Sequence, residues 1–537
     1  MFQRTLVQNN QEEPATIRSK TSIGKVVFGL SALAVCAKVF GFAEKVVIAR
    51  FFGTSDTADV YFASMGIILS IVFFIKELVY PSLLPVFSDC LPKSYSLSGA
   101  LFRKMFLSAG GFLAVIAVGM VAFSRFITGL FLPGFSESKQ HITSNLLSVL
   151  SPGMFFLGLA IVSYTVLNAR KRFLAAAWPD TVFKLFIVAG LVVLLPFFGI
   201  HSLAIVIGIG GLGCLLAQLY FIPETKSLFR FQKDVDDEGH FWKVLSLMGP
   251  LVVGVIFSHV NVLVDNMFAS KLPGGQLSCL GYSKKLIDAI LLIGPVALIT
   301  VVYSQLSYLA STKDYEELTL LVGKIFRLLI YTCLPVTCLL IALKYPIVKC
   351  LFQRGHFGVD STFKTSQAFM VYSAGLIVFS LETLLVYTFY ALSDTKTPVK
   401  LGIVCVFLNI GLAILLLKHF EYLGIAAALI ISKAIKIIML IYGLCIKLKG
   451  LFDLSIVSFS ARSIIATTAM WLIVKYLSGG NVTGSFLSDV LFNLVLPAIG
   501  GMLAFILCSC LLRIDELKEI MLLLRGKEIF GGVQRNK

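Results

Sequence analysis

Lys38 and Lys45 stand seven residues apart in an apolar stretch, so both ammonium groups fall on one helical face, with Glu44 about 100° round from Lys45. Lys76 and Glu77 lie late in a second apolar run, just before Pro81. Later runs carry Lys184, Asp265, Lys284, Lys285, Asp288, Glu382, Lys433 and Lys436. A charged side chain at the centre of a bilayer costs about 2.5–3.5 kcal/mol on insertion scales, so each needs a partner or a watery cavity. Cations outnumber anions in this set. Turned inward together, they would line a basic, hydrated cavity suited to a pyrophosphate group. The same residues admit a structural reading, in which lysines near helix ends snorkel and Lys/Glu neighbours neutralise one another for assembly. We prefer function for Lys38 and Lys285, and structure for Lys76, Lys184, Lys433 and Lys436.

Asp265 ends the stretch Ser258-His259-Val260-Asn261-Val262-Leu263-Val264, which is apolar beyond its first polar positions. An ionised carboxylate there needs a cation, and a sodium ion, a proton or a lysine could serve. Asn409, inside the apolar run 404–417, could add a neutral oxygen ligand from another helix. His259 reads more readily as a hydrogen-bonded packing histidine than as a proton relay.

Other chemistry is missing. Gly208-Ile209-Gly210-Gly211-Leu212-Gly213 satisfies GxGxxG, yet it sits inside an apolar run with no strand before it, and close helix packing explains it better than a dinucleotide. No Walker lysine motif, HExxH, GxSxG or paired-carboxylate pattern occurs, which argues against an ATP-driven pump and against an enzyme. Eleven cysteines are scattered, and only Cys508 and Cys510 come close, as CxC. Neither zinc spacing nor a disulfide framework can be read, and no cofactor is expected.

The elements that must position these residues follow from composition. Of 537 residues 58% are hydrophobic and 14% charged, against roughly 45–50% and 25% in soluble domains. A spanning helix needs about 20 apolar residues. Apolar runs fall at about 26–50, 58–88, 100–124, 140–168, 173–198, 201–222, 242–270, 276–310, 318–343, 365–392, 397–417, 422–447, 455–477 and 487–513. The expected architecture is an all-α polytopic membrane protein with about fourteen transmembrane helices in two lobes around a central cavity. Its parts are an N-terminal tail (1–25), a six-helix lobe (26–222), a linker (223–241), helices seven to ten (242–392), helices eleven to fourteen (393–513) and an amphipathic tail (514–537). The polar N-terminus contains no cleavable signal peptide, so the first span serves as the insertion signal.

The net charge of +17 comes from basic residues that punctuate the gaps between runs, not from a patch interleaved with aromatics, so nucleic acid is not an expected partner. Lysines and arginines of alternate loops fall on one side, which makes both termini cytoplasmic. The exception is Lys344, Lys349, Arg354 and Lys364, between helices nine and ten. A short echo relates Val46–Tyr61 to Asp265–Tyr282 at an offset of about 220 residues, as expected of two halves from one ancestral bundle.

The segment Ala37–Ser64 (AKVFGFAEKVVIARFFGTSDTADVYFAS) resembles the opening of the MurJ/MviN lipid II flippase family, with a GF motif, an ARxFG turn and a TDAFF-like stretch in that order. Leu167-Asn168-Ala169 with Arg172-Phe173, Asn261 to Tyr282, Leu351–Phe357 and Phe389–Pro398 add ordered matches over nearly the whole chain. The resemblance implies the fold of the multidrug/oligosaccharidyl-lipid/polysaccharide exporter superfamily. It further implies movement of lipid II by alternating access in a bacterial inner membrane, with membrane lipids and cell-wall synthesis proteins as neighbours. The family's cavity arginines map onto Lys38, Glu44 and Lys285, one of them reversed in sign, and Lys45 takes the place of an acid, so that Glu44-Lys45 looks like a swapped pair. The family's arginine pair on the second helix falls near Phe73 and Phe74, with Lys76 a turn further on, and Lys284 replaces an expected Asp. Lysine lacks the bidentate fork of arginine, so headgroup geometry would differ. The resemblance also implies a sodium site at Asp265 and Asn409, although the second acid expected one turn after the asparagine is Ala413. Coupling to Na+ or to the membrane potential is expected on that basis. Export of another polyprenyl-linked glycan or a small molecule, or a non-transporting scaffold for cell-wall enzymes, are the alternatives.

Overall fold

A computed structural model describes residues 16–225, 228, 239–448, 455–478 and 486–519. Residues 1–15 of the expected N-terminal tail, most of the linker and the tail beyond 519 lie outside the described residues. Among the described residues the regular elements are helices, and no strand occurs. A chain this apolar must satisfy its own backbone hydrogen bonds in lipid, and the helix does so within one segment.

The first helices are α1 (Thr16–Phe52), α2 (Asp56–Cys90), α3 (Tyr95–Ala122), α4 (Ser124–Phe131), α5 (Glu137–Ala169), α6 (Phe173–Phe198) and α7 (Ser202–Tyr220). They are followed by α8 (His240–Ser270), α9 (Gln276–Ile293), α10 (Pro295–Ser311), α11 (Tyr315–Ala342), α12 (Lys344–Phe352), α13 (Val359–Ala374) and α14 (Leu376–Ala391). The last are α15 (Lys396–Lys447), α16 (Ser455–Leu477), α17 (Phe486–Val490) and α18 (Leu496–Leu511). All the apolar runs coincide with a helix or a pair of helices. Among the described residues nine stretches are long and apolar enough to cross a membrane, and a tenth is bent by 43° between His240–Val252 and Gly254–Ser270. Two of the nine are longer than one crossing. Phe173–Tyr220 contains α6 and α7, which pack on each other, and α15 leaves helical geometry at Glu421 (φ 47°, ψ −133°). That is consistent with fourteen spans. Large side chains such as Val115 (71% exposed), Val118 (68%) and Phe407 (63%) face outward, as only a lipid-facing surface tolerates in such number.

Two features add to the sequence reading. The connection between the ninth and tenth runs, whose lysines are the exception to the charge pattern, holds the short helix α12. Lys344 donates to Gln367 Oε1 at 3.0 Å, Lys349 pairs with Asp489, and Lys364 pairs with Asp360 at 2.7 Å. The gap after the third run likewise holds the short helix α4.

The chain forms two compact units. Of the described residues, the first comprises those within 16–44, 71–122 and 149–250. In it the glycine motif serves packing: a Cβ on Gly210 would lie 2.8 Å from the Phe183 ring, and one on Gly211 3.3 Å from the Gly153 carbonyl. The second comprises the described residues within 45–70, 123–148 and 251–519. Its core joins α10, α11, α14 and α15 through Leu306, Ile325, Leu385 and Leu440, and a neighbouring cluster ties α11 to α16 and α18 through Tyr331, Met470 and Phe505.

Candidate functional site

In the first unit, α1 carries Lys38, which is exposed, and Glu44, which is buried at 8%. On α2, Lys76 is exposed and its ammonium stands 5.6 Å over the Tyr164 ring, itself beside Tyr80. A ring face stabilises a cation without neutralising it, so the site keeps its positive charge. Lys184 pairs with Asp180 at 2.9 Å, one turn away on α6, as its structural reading expects. Arg170 pairs with the fully buried Glu224, which also accepts from Ser98 at 3.1 Å.

In the second unit, Lys45 is buried at 8% and donates to the Tyr61 hydroxyl on α2. Lys285 on α9 is half exposed, with Asp288 one turn on at 3.6 Å. At that separation and exposure the pair is loose, and the ammonium remains available to an anion of higher charge. Lys433 and Lys436 on α15 both grip Glu382 of α14, at 2.5 and 2.8 Å.

Asp265 and Asn409 are brought together. The Asn409 amide nitrogen donates to Asp265 Oδ1 and to Asn261 Oδ1, each at 2.9 Å, so a polar trio crosses from α8 to α15. The trio gathers Asn261 Oδ1 and Asp265 Oδ1 at one point against Asn409, whose own Oδ1 is buried without a partner; a hard cation would need further oxygens beside these. Ala413, one turn along, is fully buried and offers no oxygen. Among the described residues no group of three or more His, Cys, Asp or Glu side chains could hold a metal.

Sequence reasoning missed two things. Asn261 was seen only as part of a motif, and its bond to Asn409 depends on how α8 and α15 meet. The second is a buried carboxylate, Asp59, in the first turn of α2. It accepts from Lys139 Nζ at 2.9 Å, from Gly275 N at 2.7 Å and from Ser278 N at 2.8 Å, while Lys139 also reaches Asp56 at 2.9 Å. The free N–H groups at the start of α9 favour an anion. Gly275 permits the approach, since it has φ +87° and a Cβ there would collide with the Thr54 carbonyl. The signal was present as acids at a helix start and as Pro273-Gly274-Gly275 before another, but their meeting is tertiary.

The long apolar helices define a multi-pass α-helical membrane protein. Its structure is similar to that of a lipid II flippase MurJ in an inward closed conformation, with a TM-score of 0.76 at 21% identity, covering 90% of this chain and 99% of that one. It is also similar to an inward-facing multidrug resistance MATE family transporter of the MOP superfamily, with a TM-score of 0.69 at 11% identity, covering 77% and 95%.

The chain belongs to the lipid II flippase MurJ family, whose model matches residues 48–496. Relatives described as probable lipid II flippase MurJ include one from Buchnera aphidicola, 26% identical over 90% of this chain and 96% of its own length. Another, from Vibrio cholerae, is 28% identical over 82% and 86%. A third, from Thermotoga maritima, is 27% identical over 90% and 96%.

Proposed function

We propose that this protein carries lipid II, the undecaprenyl-pyrophosphate-linked precursor of peptidoglycan, across a bacterial cytoplasmic membrane by alternating access, with both termini cytoplasmic. The observation that carries the reading is the family match over residues 48–496. Chemistry supports it. Lys38, Lys45, Lys76 and Lys285 supply ammonium groups able to pair with pyrophosphate oxygens, and Glu44 limits the local excess of charge. The polyprenyl tail stays in lipid while the headgroup crosses by alternating access. The work is transport, not catalysis. Proteins that make or consume lipid II are the partners this reading implies. For the driving force two sources stand, the membrane potential and a sodium gradient acting through Asp265 and Asn409.

The test is reconstitution in liposomes with labelled lipid II, with and without a potential or a sodium gradient. Lys38→Ala and Lys285→Ala are expected to lower flipping at least about tenfold, the effect of losing one charge-assisted contact of about 1.5–3 kcal/mol, with membrane insertion intact. Wild-type flipping in both variants would remove these side chains from the route, and a protein that moves no lipid II at all would remove the function.

A further inference from the structure

We propose that the lipid-facing side of the α6–α7 hairpin, in the first unit, binds an anionic phospholipid of the bilayer, with the headgroup against Lys171 and Arg172 and an acyl chain in a trough between the two helices. The trough is a cavity of about 280 Å3. Trp178, Val182 and Phe186 line it from α6, and Ile209, Gly213 and Ala217 from α7. Each set recurs at every fourth residue, so both walls run along their helices. At a rise of about 1.5 Å per residue the trough is roughly 12 Å long, which fits within one leaflet of a hydrocarbon core about 30 Å thick. The chain does not fill this hollow itself. A Cβ on Gly213, the last glycine of the motif on α7, would meet nothing within 4 Å, and Val182, Phe186 and Ile209 are exposed. In a bilayer such a hollow is filled by an alkyl chain, which recovers the dispersion contacts that an empty groove would forfeit.

The charge lies at the mouth of the trough. Arg172 Nη1 donates to the Phe221 carbonyl at 3.0 Å, and the Phe221 ring stands edge-on to Trp178 with centroids 6.1 Å apart, so the guanidinium sits beside the end formed by Trp178 and Ala217. Lys171, its neighbour in the turn between α5 and α6, is exposed and borders a second cavity, of about 390 Å3, with Tyr95 and Ser98. Arg170 in the same turn is answered by Glu224, whereas among the described residues neither Lys171 nor Arg172 forms an ion pair. Two positive charges therefore remain for a headgroup phosphate, and Arg172 keeps donors beyond the one given to Phe221. Trp178, Tyr220 and Tyr95 mark this end as the headgroup level, where rings with an apolar body and a polar tip collect. Basic side chains above an apolar trough select a lipid that is anionic at the head and apolar below. The undecaprenyl chain of the proposed cargo would overrun a trough confined to one leaflet, and a neutral headgroup would leave both cations unanswered.

The experiment reads Trp178 fluorescence in the full-length protein, with Trp242→Phe and Trp471→Phe removing the other two tryptophans. The protein is placed in phosphatidylcholine vesicles containing acyl-brominated phosphatidylglycerol or acyl-brominated phosphatidylcholine at the same mole fraction, and bromine on a bound chain quenches the indole. One basic residue at an anionic surface favours binding roughly fivefold, so two predict a preference of about 25-fold for phosphatidylglycerol. Lys171→Gly, which suits the left-handed φ of 58° at that residue while removing its charge, is expected to lower the preference to about fivefold, and Arg172→Gln added to it should bring the two lipids to parity. Gly213→Leu, which fills the trough and favours the helix, should weaken quenching by both lipids at least about fivefold. Equal quenching of the otherwise unaltered protein by the two lipids overturns the proposal, as does a preference that survives the loss of both charges. Displacement of the brominated lipid by lipid II at concentrations where unbrominated phosphatidylglycerol has no effect would make this a cargo site and overturn it. Quenching by neither lipid would place a second copy of the chain over the trough, with the same consequence. Because fluorescence reads bound lipid and not translocation, each outcome stands apart from whether lipid II is flipped.

Discussion

Asp59 is 2% exposed and answers one ammonium and two backbone N–H groups at once, so its removal leaves the N–H groups of Gly275 and Ser278 without this acceptor and Lys139 with only the exposed Asp56. Breaking one partner of a buried pair costs about 3–5 kcal/mol, because the remaining charge stays desolvated. Asp59→Ala should therefore lower the melting temperature sharply. Asp56, 64% exposed beside the same Lys139, should cost under about 1 kcal/mol when replaced by alanine. Equal effects of the two substitutions on melting would contradict this assignment of weight. The same logic separates the membrane lysines. Lys184, Lys433 and Lys436 have a carboxylate at close range that answers their charge within the fold, whereas Lys76 stands over a tyrosine ring, which does not neutralise it.

At the scale of elements, the turn between α14 and α15 is held by Asp394. It accepts from Thr397 N at 3.0 Å, from Thr397 Oγ1 at 2.7 Å and from Lys447 Nζ at 2.7 Å. Burial pulls its acidity the other way, but the Lys447 and Thr397 hydrogen bonds win and bring the carboxyl from 3.8 down to about 2. A folded value below the unfolded one means that this stabilisation is fully present above about pH 4 and is lost as the pH falls through about 2. Acid titration of melting temperature should show that limb in wild type, and Asp394→Asn should flatten it between about pH 4 and 2. The motif Phe389–Pro398 was legible in the sequence as a familiar string, and the structure supplies its reason, a carboxylate capping the start of α15 and pinning the far end of the same element through Lys447. Element ends were harder to read than element interiors. The helix α12 was hidden because nine residues with two lysines give no apolar run of spanning length, so its charges stood only as an exception to the loop pattern.

For the whole molecule, the lack of a Walker lysine motif in the sequence predicts that lipid II flipping by the reconstituted protein persists without ATP, and a potential-driven cycle predicts that it rises with an imposed potential. Flipping that required ATP would contradict it. Moving one elementary charge through the full potential is worth about 2.3 kcal/mol per 100 mV, so a cycle that moves even one net charge would be biased measurably. The fold was largely readable in advance for a simple reason. A bilayer imposes one length and one hydrogen-bonding solution on every span, and that constraint is local to each run of residues. Hence the apolar runs, the all-helical class and the ordered motifs of a lipid II flippase family could be taken from the string alone. What only the tertiary structure decided is which charges meet: that Asn409 turns its nitrogen to Asp265, that two lysines share Glu382, and that Asp59 caps a helix more than two hundred residues away. Such pairings depend on the rotation and depth at which separate helices pack, and a one-residue turn of about 100° would undo each of them while leaving the hydropathy of every span unchanged.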